Sequence, residues 1–115
     1  MKTIFGDRRT GKTTTAINLS SDTGAYIVCS DMKQATNIAR MANEMKLKIP
    51  FPLTFHEFLE KQYYGEGIKS FIIDDLENLL RCITNVRISA VTFDQPGVSP
   101  CVMFTDGFKG ENNEL

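Results

Sequence analysis

The sequence predicts an α/β domain of three layers, with helices on both faces of a mostly parallel sheet. Three observations carry this. Short apolar runs of strand length alternate with stretches whose apolar residues recur at helical spacing, and clusters of Gly, Ser, Asp and Pro separate them. The length of 115 residues suits one such domain, at the small end for a sheet covered on both sides. Right-handed crossovers are expected between the parallel strands.

The first strand is expected at Lys2-Thr3-Ile4-Phe5, and the helix after it carries Thr14, Thr15, Ala16, Ile17 and Leu19. Residues 20–24 form a turn cluster. Ala25-Tyr26-Ile27-Val28-Cys29 then reads as a second strand, a continuous apolar run of the kind buried inside a parallel sheet. Ser30 or Asp31 can cap the next helix, where Ala35, Ile38, Ala39, Ala42 and Met45 make the core stripe. Pro50 and Pro52 end it. Leu53-Thr54 reads as a brief third strand, and Thr54-Phe55-His56-Glu57 as a capping box for a helix carrying Phe58 and Leu59. Residues 63–67 close that helix. Phe71-Ile72-Ile73 forms another strand, ending in Asp74-Asp75, and Leu76, Leu79, Leu80 and Ile83 are spaced as the stripe of a further helix. Residues 86–93 begin with apolar and polar alternation and read as a strand. After the Gln95-Pro96-Gly97 turn, Cys101-Val102-Met103-Phe104 is an expected edge strand. The domain is expected to span residues 1–106, with residues 107–115 a flexible tail rich in Gly, Asn and Glu.

Composition narrows the function classes. Lys plus Arg number 13 and Asp plus Glu 14, so bulk electrostatic attraction to nucleic acid or to a membrane is not expected. The three cysteines, Cys29, Cys82 and Cys101, are an odd set without C-x-x-C spacing and read as reduced thiols of a cytoplasmic protein. No run approaches the roughly 20 apolar residues of a membrane span, and strand-like sequence begins at once, leaving no space for a signal peptide.

The chemistry is concentrated near the start. Gly6-Asp7-Arg8-Arg9-Thr10-Gly11-Lys12-Thr13 fits the phosphate-binding (Walker A) pattern G-x-x-x-x-G-K-[ST], between an expected strand and an expected helix. Glycines let main-chain N–H groups approach phosphate, Lys12 brings a point charge to the β- and γ-phosphates, and the Thr13 hydroxyl can ligate Mg²⁺. Residues 6–14, Thr14 included, are therefore the expected nucleoside triphosphate contacts, on a helix N-terminus that favours anions. About sixty residues on, the strand ending in Asp74 supplies the second (Walker B) element. Asp74 is the expected metal-side carboxylate, opposite Thr13. Asp75 either orients the attacking water or caps the helix beginning at Leu76, and both roles can hold together. Arg8 and Arg9 can neutralise charge developing on the phosphates, as an arginine finger supplied in cis. The remaining candidates read more plainly. His56 is an exposed first-turn residue, the aromatics Phe51, Phe55, Phe58, Tyr63 and Tyr64 are core or packing rim, and Lys33, Arg40, Lys46 and Lys48 are a solvated helix face.

Gly6-Asp7-Arg8-Arg9-Thr10-Gly11-Lys12-Thr13 resembles the Arg-containing phosphate loop of phage terminase large-subunit ATPases. The order of the later segments is similar to the first motor domain of terminases and of superfamily one and two helicases. In that comparison, covering residues 2–95, Leu53-Thr54-Phe55-His56-Glu57-Phe58-Leu59 resembles the Thr-containing segment ahead of the acidic motif. Ile72-Ile73-Asp74-Asp75 matches that motif except for Asp in place of Glu, and residues 90–95 look like the coupling segment, where Thr92 or Gln95 senses the γ-phosphate. The resemblance implies a P-loop NTPase of the RecA-like, additional-strand type, phage or mobile-element encoded. It would be a minimal core without a second motor domain, a nuclease domain or an N-terminal base clamp. The implied activity is Mg²⁺-dependent ATP hydrolysis coupled to DNA or to a protein partner in DNA metabolism. A homo-oligomer is also implied, with Arg81 or Arg87 donated between subunits. Two alternatives stand beside it: a nucleotide-binding regulatory or assembly subunit with little turnover, and a small nucleotide kinase. The kinase is disfavoured because no compact Arg-rich lid follows the acidic motif.

Overall fold

The structure is a computed structural model, which describes residues 2–4, 11–61, 63, 67, 68, 70–92, 94 and 96–100. Along the chain lie α1 (Lys12–Thr23), β1 (Tyr26–Cys29), α2 (Met32–Glu44), β2 (Leu53–Thr54), α3 (Phe55–Leu59), β3 (Phe71–Ile73) and α4 (Leu76–Thr84). The strands form one parallel sheet in the order β2-β1-β3. Val28 is opposite both Leu53 and Ile73, and Ile27 is opposite Ile72.

Local chemistry explains most boundaries. α1 ends where Gly24 takes a left-handed conformation and its N–H bonds the Ser20 carbonyl at 2.8 Å. The buried Ser20 hydroxyl then donates to the Ala25 carbonyl at 2.6 Å, tying the end of the helix to the start of β1. Asp31 caps α2, its carboxylate accepting the Gln34 N–H at 2.8 Å. Thr54 and Glu57 form the expected capping box: the Thr54 hydroxyl accepts the Glu57 N–H at 3.1 Å, and the Glu57 carboxylate accepts the Thr54 N–H at 2.9 Å.

The two faces of β1 divide the core. Ile27 and Cys29 face one way, into a cluster with Ala16 and Ile17 of α1 and Ala35, Ile38 and Ala42 of α2, and Ile72 packs against it. Val28 faces the other way, with Phe55 of α3 and Leu79 of α4, against which Leu53, Phe58, Phe71 and Ile73 pack. This is the period-two alternation of a strand buried on both faces. The ring of Phe71 meets those of Phe58 and Tyr63 edge-on, each at 5.0 Å, so these aromatics pack the second face as the sequence suggests.

Two expected strands do not form among the described residues. Lys2, Thr3 and Ile4 carry no strand structure, and Phe5 lies outside the description. Residues 86–92 are irregular: Val86 is 67% exposed and Val91 49%, and only Ile88 is half-buried. The alternation there provides a single apolar row, whereas β1 and β3 bring continuous apolar runs that a sheet covered on both faces requires. Cys29 is buried and Cys82 exposed, both as free thiols. The run 101–104 and the tail 107–115 lie outside the described residues. No described helix is long and apolar enough to cross a membrane.

Candidate functional site

All three strands are parallel, so their carboxyl ends fall along one edge of the sheet, the usual location of ligand sites in open α/β sheets. β3 delivers Asp74 there, held in place by its main-chain N–H, which donates to the Val28 carbonyl at 2.8 Å. β1 delivers Cys29 and, just beyond, Ser30 and Asp31.

The start of α1 comes to the same edge. Gly11, at its N-cap, has φ +89°, a left-handed conformation that glycine adopts without strain, and no side chain caps the helix. A Cβ at Gly11 would meet nothing within 4 Å, so backbone conformation and not space calls for glycine. The first main-chain bond to Gly11 comes from the Thr15 N–H at 2.9 Å, reinforced by the Thr15 hydroxyl at 3.0 Å. Ahead of it, the N–H groups of Lys12, Thr13 and Thr14 fall in the first turn, where a helix offers no intrahelical acceptors. Lys12 and Thr13 are half-buried and Thr14 is exposed.

Electrostatics link the two sequence motifs. Burial pushes the Asp74 carboxyl above its ordinary value, the neighbouring Asp75 pushes it further, and the Lys12 ammonium works against both. Two residues far apart in sequence therefore share one electrostatic environment, as a triphosphate and metal site needs. The Cys29 thiol is pushed up to about 11, first by burial and then by Asp74 and Asp31. It stays protonated at neutral pH and is unsuited to nucleophilic work.

Asp75 begins α4 with φ +69° and ψ +69°, a left-handed conformation that is uncommon for a residue with a side chain. Its carboxylate accepts the Asn78 N–H at 3.3 Å and the Asn78 side-chain amide at 2.6 Å. The capping role is thus present in the geometry. Asn78 was not singled out in the sequence, although an acid followed three positions later by a polar side chain is a recognisable helix-start spacing.

Among the described residues no group of three or more His, Cys, Asp or Glu side chains is arranged to hold a metal ion. The metal donors that the two motifs bring to this edge are the Asp74 carboxylate and the Thr13 hydroxyl. Such a set fits Mg²⁺ in the manner of phosphate-transfer sites, where water and phosphate oxygens complete the shell. Thr92 is exposed and lies in no strand. Gly6, Asp7, Arg8, Arg9, Thr10 and Gln95 lie outside the described residues. Arg81 is engaged with Glu77 at 2.9 Å, and Arg87 is exposed. His56 is exposed on α3, and Lys33, Lys46 and Lys48 are exposed, as is Arg40, which pairs with Glu44 at 3.1 Å. Two open surface depressions, of about 570 and 530 Å³, lie beside Arg81 and Val86 and along the start of α2; neither includes Lys12, Thr13 or Asp74. Comparison with known proteins gives no matching family model, no matching curated protein and no matching solved structure.

Proposed function

We propose that this chain is a P-loop ATPase of the RecA-like, additional-strand type that binds Mg²⁺-ATP at the carboxyl edge of its sheet. The observation that carries the reading is the electrostatic meeting of Lys12, from the phosphate-loop sequence, with Asp74, from the acidic motif. Each residue has a role that its chemistry suits. The main-chain N–H groups of the first turn of α1 receive phosphate oxygens, and Lys12 neutralises charge on the β- and γ-phosphates. Thr13 and Asp74 hold Mg²⁺, which when bound offsets charge between those phosphates. Asp75 orients water, and Arg8 and Arg9, which belong to the phosphate-loop sequence, stabilise charge developing during transfer. Coupling of turnover to DNA or to a protein partner, in DNA metabolism of a phage or mobile element, completes the proposal.

A nucleotide-binding subunit with little turnover is the second reading, and one observation favours it. Asp75 has both carboxylate oxygens engaged by Asn78, which leaves it less available to water.

Binding is the direct test. A fluorescent ATP analogue titrated with Mg²⁺ should bind wild type and fail to bind Lys12→Ala at comparable concentrations. Equal binding by the variant, with its fold intact by circular dichroism, would remove the site assignment.

A further inference from the structure

A short chain of hydrogen bonds runs along one side of α4 toward Asp75. Arg81, in the last turn, pairs with Glu77 through Nη2 at 2.9 Å, and its Nη1 donates to the Asn78 side-chain oxygen at a long 3.5 Å. That contact sets the direction of the amide: with Oδ1 facing Arg81, Nδ2 faces Asp75. Nδ2 donates to Asp75 Oδ2 at 2.6 Å, the shortest of these four contacts, while the Asn78 main-chain N–H reaches Oδ1 at 3.3 Å. Each carboxylate oxygen therefore gives up an acceptor position to the same residue.

A helix cap needs only the main-chain donor. The second, shorter bond, from the side chain, holds the carboxylate against its own helix and so restricts where its remaining lone pairs can point to align a water for attack on a phosphate. We propose that Asn78 is a positioning residue that restrains Asp75 and so limits the rate of ATP hydrolysis. The inference rests on the ATPase reading of Lys12, Asp74 and Asp75. Arg81 supports the restraint by orienting the Asn78 amide.

Asn78→Ala is a clean perturbation. It removes the side-chain donor, keeps the main-chain N–H of the cap, and replaces Asn by a better helix former, so α4 is expected to persist. Steady-state kinetics with Mg²⁺-ATP should show kcat rising by about fivefold, the rate equivalent of one exposed hydrogen bond, with KM unchanged. Asn78→Gln, which restores an amide one methylene away, should fall between wild type and Asn78→Ala. In an Asp75→Asn background the Asn78→Ala gain should vanish, whereas a merely structural effect would persist there. An unchanged or lower kcat in Asn78→Ala, with Mg²⁺-ATP still bound, would overturn the inference alone. If wild type shows no Lys12-dependent Mg²⁺-ATP binding, the ATPase reading falls and the inference falls with it.

Discussion

Asp74, the proposed metal-side carboxylate, works against the stability of its own fold at neutral pH. Its folded-state carboxyl lies above the ordinary value of 3.8, so the folded protein holds the proton more tightly than the unfolded chain does. That favours folding below pH 3.8, and the advantage is lost as pH rises through the raised value. At neutral pH the half-buried carboxyl is therefore a burden that Asn lacks. Asp74→Asn should therefore melt at a higher temperature than wild type at pH 7, the difference closing as pH falls toward 3.8, while Mg²⁺-dependent ATP affinity drops. Equal melting temperatures at pH 7 would contradict this account of the site's electrostatics. Asp75 gives a separate test. An added methylene in Asp75→Glu reaches further toward water and weakens the cap, so turnover should rise; unchanged turnover would leave Asp75 as a cap and favour the low-turnover reading. The carboxylate pair was legible in the sequence because a buried strand ending in acids is a local pattern. The Asn78 restraint was not, since its effect depends on the left-handed backbone at Asp75.

At the scale of elements, sequence reading succeeded where a local device sets the structure. The caps Asp31 and Thr54 with Glu57, the stripe Ala35, Ile38 and Ala42, and the apolar run Phe71-Ile72-Ile73 all appear where their chemistry places them. It failed at residues 86–92, where the alternation of Val86, Ile88 and Ala90 resembles a strand but partners decide the outcome, and partners are not written locally. These differences have measurable sizes. Thr54→Ala should destabilise by about 1 kcal/mol in urea titrations, through loss of the cap. Ile38→Ala, at a position of zero exposure, should cost about 2–5 kcal/mol. His56→Ala, exposed on the same short helix as the cap, should stay within about 0.5 kcal/mol. A Thr54→Ala effect no larger than that of His56→Ala would mean that the capping box adds nothing in solution.

For the molecule as a whole, the proposed ATPase reading together with the engaged Asp75 carboxylate predicts slow turnover by the chain on its own. Turnover per chain should rise with protein concentration, or on adding single- or double-stranded DNA. A flat response to all three would select the low-turnover subunit. Both faces of the sheet and its parallel sense were legible in the sequence, because continuous apolar runs separated by helical stripes admit few other arrangements. The strand order was not, since pairing is settled by distant packing. That pairing bears on how the chain reaches its fold. Val28 finds Leu53 and Ile27 finds Ile72, and no described pair of neighbouring strands is joined by a hairpin. Neither described strand pairing can therefore nucleate locally, and each must first close a loop of more than twenty residues. On a ribosome, β1 would wait beside β2 with one edge bare until residue 73 had emerged. During synthesis the central strand, which is the best protected in the finished protein, is thus the segment most exposed to misassociation.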